Sequence, residues 1–263
     1  MVSGGRRYPV CTFGWANHST TFGAMEDLDV SQLANYLHWN PDKVVKMATR
    51  GRLPGRRVGG QWRFSEAEIH HWVEDQIGES DADELIRFEK VLQPRSSITP
   101  APESAPSIAS LCPVSRIEVP FRGRTRGSVI RRMCDLATAG GMMWDAAAMA
   151  TAVENREAMH PTALSCGVAL LHPRRPQTSI LADSVLALGV CPSPVPFSDG
   201  GQLTDVFFLI CSYDDRTHLR ILARLSRLIT DTEMLDDLRS AASPAAAQAG
   251  IEAAERSLGG DAD

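Results

Sequence analysis

Between Pro94 and Pro113 the chain reads PRSSITPAPESAPSIASLCP. A run so rich in proline, serine and alanine cannot bury enough apolar surface to fold, so it reads as a semi-extended linker. It divides the 263 residues into two units of different size. Residues 1–25 carry no helical or strand period and read as disordered. Residues 26–78 form a small, mostly α-helical unit, and 79–113 an acidic helix running into the linker. Residues 114–242 form a larger α/β unit, a mixed sheet with flanking helices. Residues 243–263 are alanine-rich and read as a tail or a frayed helix. No internal repeat is visible.

Hydrophobic residues make up 43% and charged residues 22% of the chain, which excludes collagen-like, coiled-coil and wholly disordered classes. No stretch approaches the ~20 consecutive apolar residues of a membrane span. Met1–Gly23 is polar and lacks the apolar core of a signal peptide. A cytoplasmic protein without a membrane partner is therefore expected. The cysteines (11, 112, 134, 166, 191 and 211) are scattered, with no CxxC pair and no Cys/His spacing suited to zinc. Reduced thiols, no metal and no cofactor are the expectation.

The net charge of −5 conceals an asymmetry. Lys43, Lys46, Arg50, Arg52, Arg56, Arg57 and Arg63 fall within one short segment beside a single acid, Asp42. Such a basic block on a small module points to a polyanionic partner. Its local pattern predicts helix, turn, helix, hairpin, helix. Val30, Leu33, Ala34 and Leu37 have helical spacing behind Asp29 as N-cap, and His38-Trp39 makes the turn. Asn40-Pro41 supplies a cap and a first-turn proline for helix Pro41–Arg50. Val44, Val45 and Met47 are its core face, with Lys43, Lys46 and Arg50 opposite. Gly59-Gly60 joins Arg56–Val58 to Gln61–Phe64 as a hairpin. Ser65 and Glu68 have capping-box spacing for Glu66–Ile77, whose Ile69, Trp72 and Val73 face inward. Adjacent His70 and His71 diverge on a helix and read as surface and packing rather than a metal pair.

DVSQLANYLHWNPDKVVKMATRGRLPGRRVGGQWRFSEAEIHHWV resembles the excisionase-type winged helix-turn-helix, a relative of the MerR group. The resemblance implies a DNA reader. Helix Pro41–Arg50 would enter the major groove and the hairpin would touch an adjacent backbone or minor groove. Lys43, Lys46, Arg50, Arg52, Arg56, Arg57, Gln61 and Arg63 are the candidate DNA contacts. One module makes few contacts, so specificity calls for a homodimer or a partner.

In the second unit, Arg126–Ala139, Trp144–Glu154, Thr217–Ile229 and Asp231–Ala241 read as helices. Val168–Leu171, Ser179–Leu188 and Asp205–Cys211 read as strands. Arg156, His172 and His218 stand out, with His172 at the end of the apolar run CGVALLHPR. REAMHPTALSCGVALLHPR, DGGQLTDVFFLI and THLRILARLSRLI together resemble enzyme IIA of the phosphotransferase system, in its mannitol/fructose/nitrogen (type-2) form. The resemblance implies that His172 carries a phosphoryl group received from an HPr-like phosphocarrier. His218 would orient that group and Arg156 would present a planar fork to its oxygens. An enzyme IIB-like protein is the implied acceptor. The segment departs from the family in the loop 161–167, where a glycine-rich sequence is usual, and at Pro173, where glycine is usual.

Together the units suggest a cytoplasmic DNA-binding regulator that reports phosphotransferase status through phosphohistidine at His172. The alternatives are a soluble enzyme IIA component for sugar uptake, or a non-catalytic sensory or scaffold version of it, which Pro173 would favour.

Overall fold

The computed structural model describes residues 27–37, 39–79, 107–197, 201 and 203–260. The N-terminal segment 1–25 and most of the acidic and proline-rich stretch, residues 80–106, lie outside the described residues, as does His38.

The first unit is built on short-range signals. Strand β1 (Asp27–Leu28) leads into α1 (Val30–Tyr36), capped by a reciprocal pair in which Gln32 N donates to Asp29 Oδ1 at 2.8 Å and Asp29 N donates to Gln32 Oε1 at 2.8 Å. Helix α2 (Pro41–Thr49) starts at Asn40, whose side chain accepts from Asp42 N at 2.8 Å. Strands β2 (Arg56–Val58) and β3 (Gln61–Ser65) form the hairpin. Its turn needs φ > 0 at both central residues, and Gly59 and Gly60 supply φ values of 59° and 81°. Strand β1 pairs with the other edge of β3, giving a three-stranded antiparallel wing. Helix α3 (Glu66–Glu79) follows directly. The capping box expected at its start does not form, because Ser65 Oγ is buried and has no hydrogen-bond partner. Val45, expected in the core, is 37% exposed, while Val44 and Ala48 are buried with Leu33, Phe64, Ile69 and Val73.

The second unit is a four-stranded mixed sheet in the order β4-β6-β7-β5, comprising Ile117–Glu118, Val185–Pro196, Leu203–Cys211 and Val168–Leu171. β5 runs parallel to β7, and β6 antiparallel to it. Side chains alternate between two apolar layers, as the two-residue period of a strand requires. Phe207, Leu209 and Ala187 meet helices α5 (Arg126–Ala137) and α6 (Ala146–Met159). Val206, Phe208, Ile210 and Leu188 face α7 (Asp215–Leu228) and α8 (Thr232–Ser240). Burial on both faces explains why these strands read as continuous apolar runs. The strand expected at Ser179–Leu188 is displaced: Thr178–Ile180 is a 3-10 turn and β6 extends from Val185 to Pro196.

Two expectations about the ends of this unit are corrected. The linker reading overruns into Ile108–Leu111, which is helix α4, with Ile108 and Cys112 fully buried. The tail reading gives way to helix α9 (Pro244–Gly260), which buries Ala247, Ile251 and Ala254. These two elements stabilise each other, and neither has a period strong enough to stand out alone. Glu255 of α9 accepts from Ser107 Oγ at 2.7 Å, Ile108 N at 2.9 Å, Ala109 N at 3.0 Å and Arg224 Nε at 2.8 Å. Burial alone would raise its pKa, but these donors outweigh burial and hold it below its ordinary 4.5. The depressed folded value means that Glu255 contributes stability above pH ~4.5, lost as pH falls through its folded pKa. Glu255→Ala should cost about 2–4 kcal/mol in urea unfolding at neutral pH, since it strands two buried backbone N–H groups and removes a charge-assisted bond from Arg224. The deficit should shrink towards pH 3.

Candidate functional site

Parallel pairing of β5 with β7 brings their C-terminal ends to one edge of the sheet, the usual location of ligand sites in α/β sheets. His172 follows the last residue of β5. Ser212 follows the last residue of β7, and after a short turn Asp214 caps α7 by accepting from Thr217 N at 2.8 Å. His218 thus falls in the first turns of α7, and its ring centroid lies 5.0 Å from that of His172. His172 Nδ1 lies 2.8 Å from the Leu170 carbonyl oxygen. A carbonyl only accepts, so Nδ1 carries a proton and Nε2 is the nitrogen turned towards Glu74. His218 Nδ1 is 3.3 Å from Ser212 Oγ, and burial pushes the His218 pKa down to about 4, so this ring is neutral near pH 7.

Arg156 is near the end of α6 and lines a cavity of about 340 Å³ with Thr162, Leu170, His172 and Leu222. Its Nη1 donates to the His160 carbonyl at 2.8 Å, so the guanidinium is held at the helix end. The neighbouring Glu157 carboxylate is buried and accepts from the backbone and side chain of Thr162. Burial raises the Glu157 pKa, and the Thr162 contacts only partly offset it. The loop 161–167 folds back on β5, with Leu164 N donating to Val168 O at 2.8 Å and Gly167 at φ 83°. One glycine therefore survives where left-handed backbone is required.

The residue that sequence reading missed is Glu74. Helix α3 of the first unit packs against α7 of the second, and Ile69 and Val73 join the same apolar cluster as Leu219 and Leu222. This docking aims the buried Glu74 side chain between the two histidines. Glu74 Oε1 lies 3.1 Å from His218 Nε2, 3.8 Å from His172 Nε2 and 3.0 Å from His70 Nε2. Burial would raise the Glu74 pKa, but the imidazoles of His172, His218, His70 and His71 outweigh it and hold the carboxyl well below the usual range. His71 Nε2 accepts from Arg174 Nε at 2.8 Å, so Nδ1 is the protonated nitrogen and donates to Glu74 Oε2 at 3.0 Å. Of the pair read as surface and packing, His70 is the packed one, only 4% exposed, because the face of α3 that carries it is covered by the second unit, and His71 is half-buried. The one available signal was the isolated pair of histidines with an acid one turn later on a helix otherwise explained by its own small core.

The candidate DNA residues take no part in this cluster. Lys43, Lys46, Arg50, Arg52, Arg56, Arg57 and Gln61 are exposed and Arg63 is half-buried. Lys43 Nζ sits 3.7 Å above the Trp39 ring, and the Arg57 guanidinium 5.1 Å from that of Trp62. Arg56 is engaged by Asp27 at 2.6 Å.

Residues 110–254, more than half of the chain, match the family model described as phosphoenolpyruvate-dependent sugar phosphotransferase system, EIIA 2. The chain belongs to this EIIA 2 family. Residues 28–77 match a helix-turn-helix domain, so the EIIA 2 domain is joined to a small helical one. Similar solved structures include nitrogen regulatory protein IIA-Ntr of Neisseria meningitidis, at TM-score 0.49 and 18% identity over 55% of this chain and 98% of that one. The mannitol IIA protein of Escherichia coli matches at TM-score 0.48 and 16% identity over 53% and 97%. No curated protein was found to match the chain.

The EIIA 2 domain thus holds its two histidines against a carboxylate supplied by the helix-turn-helix domain. Removing that carboxylate should loosen the docking. Glu74→Ala is expected to speed amide exchange along α3 roughly 5- to 150-fold, the equivalent of ~1–3 kcal/mol, as read by hydrogen-exchange mass spectrometry. Exchange rates as slow as those of the native protein would show that the apolar contact alone holds α3 in place.

Proposed function

We propose that this chain is a cytoplasmic DNA-binding regulator in which phosphorylation of His172 by an HPr-like carrier controls the docking of its helix-turn-helix domain. The observation that carries the reading is Glu74, a residue of the helix-turn-helix domain, lying between His172 and His218. His172, which lines the same cavity as Arg156, is the nucleophile, through Nε2. Its bond to phosphorus forms as the donor's N–P bond breaks, and the phosphoryl group passes without a metal. Arg156 is positioned to contact the phosphoryl oxygens, and His218 to hydrogen-bond them. Phosphohistidine then places close to two negative charges where the Glu74 carboxylate stands. Two buried anions cannot share that space, so phosphorylation and α3 docking exclude one another.

The basic face of α2 and the hairpin stays exposed while α3 is docked, so docking does not occlude the DNA-contacting side chains. Coupling acts on how the domain is held, and on whether two copies or a partner can present it to DNA in register. Pro173 supports the second reading, a sensory domain without transfer chemistry, because it removes the backbone N–H beside His172.

Incubation with phosphoenolpyruvate, enzyme I and HPr should add one phosphoryl group to the wild type and none to His172→Ala, by intact mass and peptide mapping. Glu74→Ala should be phosphorylated faster than wild type. Folded protein that stays unmodified beside competent donors would favour the sensory reading. For the other domain, DNA affinity should fall steeply with salt, and Arg57→Ala or Arg63→Ala should reduce that slope by about one. Phosphorylation should change the affinity by roughly 5- to 150-fold. Salt-independent binding, or affinity unmoved by phosphorylation, would sink the DNA link or the coupling respectively.

A further inference from the structure

His70, Glu74 and His218 converge from two domains, with His172 beside them. Glu74 Oε1 is within 3.0–3.1 Å of two imidazole nitrogens. Among the described residues Glu74 Oε1 and His218 Nε2 are nonetheless buried without a well-formed hydrogen bond. A cation between such donor atoms would compensate their burial.

We propose that His70, Glu74 and His218 form a Zn(II) site that spans the interface between the helix-turn-helix and EIIA 2 domains, with its fourth position open beside His172. Two imidazoles and a carboxylate are a zinc donor set. Bonds of about 2.0–2.1 Å in a tetrahedron put ligand atoms ~3.3 Å apart. The contacts of Glu74 Oε1 with His70 Nε2 and His218 Nε2, at 3.0 and 3.1 Å, lie close to that edge. The ligand atoms of His70, Glu74 and His218 all lie within 4.8 Å of one another. The surrounding groups fit as well. Ser212 Oγ meets His218 Nδ1, and His71 holds the other Glu74 oxygen, leaving Oε1 for the ion. Such a site needs both domains, so bound zinc clamps α3 to α7. It also excludes a phosphoryl group from His172, but it rests on the geometry alone and stands whether or not His172 is ever phosphorylated.

The test uses the unphosphorylated full chain, stripped with a chelator and titrated with Zn(II) against a chromophoric competitor. One tight equivalent is expected, a rise in Tm with added Zn(II), and tetrahedral visible bands when Co(II) replaces it. Glu74→Gln, which keeps the shape, and His70→Ala should each weaken binding at least tenfold, whereas His160→Ala, outside the cluster, should not. Loss of the tight equivalent in Glu74→Gln with an unchanged circular dichroism spectrum supports the site even if His70→Ala misfolds. Absence of a tight equivalent in the wild type, octahedral Co(II) spectra, or full affinity in Glu74→Gln would overturn it.

Discussion

The arrangement of this protein turns on a buried carboxylate. An anion removed from water is costly unless compensated, and among the described residues Glu74 is compensated by imidazoles, two on its own helix and two on the other domain. That makes the docked state conditional. Apolar burial of Ile69 and Val73 is indifferent to chemistry at the sheet edge, but the Glu74 contacts respond to any change at His172 or His218. A charge placed on His172, or a cation placed among the rings, acts directly on the element that joins the two domains. Sensitivity is thus concentrated where a helix-turn-helix domain meets an EIIA 2 domain.

The sheet is what makes the edge available. Parallel pairing of β5 and β7 sends both chains out at the same end, so His172 and the start of α7 become neighbours without any local sequence signal joining them. The Asp214 cap then sets the rotation of α7, so that His218 faces inward while Leu219, Leu222 and Leu225 pack on the sheet. Arg156 arrives by a third route, at the end of a helix on the opposite face. It lines the cavity beside His172 with its guanidinium held by the His160 carbonyl. His172 and Arg156 thus line one cavity, with His218 beside His172.

The helix-turn-helix domain is divided by function across its own small core. One face, formed by α2 and the hairpin, leaves its cations in water, where they suit a polyanion. The other, the His70–Glu74 side of α3, is closed over by the second domain. A domain with only the first face would be an ordinary DNA-binding module. The second face gives it a contact with His172 and His218 of the EIIA 2 domain, and the two faces share no residues.

Much of this was legible in the residues. Local rules determined the Asp29 and Asn40 caps, the Gly59-Gly60 turn, the apolar strand Val168–Leu171, most of the strand Leu203–Cys211, read as Asp205–Cys211, and most helix limits, because each depends on neighbours a few positions away. His172 stood out at the end of an apolar run, and Arg156 and His218 through the resemblance to enzyme IIA. The failures are of a different kind. Ile108–Leu111 sits inside a proline-rich run and Pro244–Gly260 inside an alanine-rich one, and each becomes a helix because it packs beside the other, joined by Glu255. The expected Ser65 cap failed because burial between elements, not local spacing, decides that side chain's surroundings. His70 and Glu74 looked like the polar face of a short helix, and on one domain alone that is what they are. What the sequence by itself determined was the identity and local geometry of the elements whose signals are short-range. Only the tertiary structure decided that Glu74 belongs to the site of the other domain, because burying an anion among three or four rings requires two domains that are distant in sequence to meet.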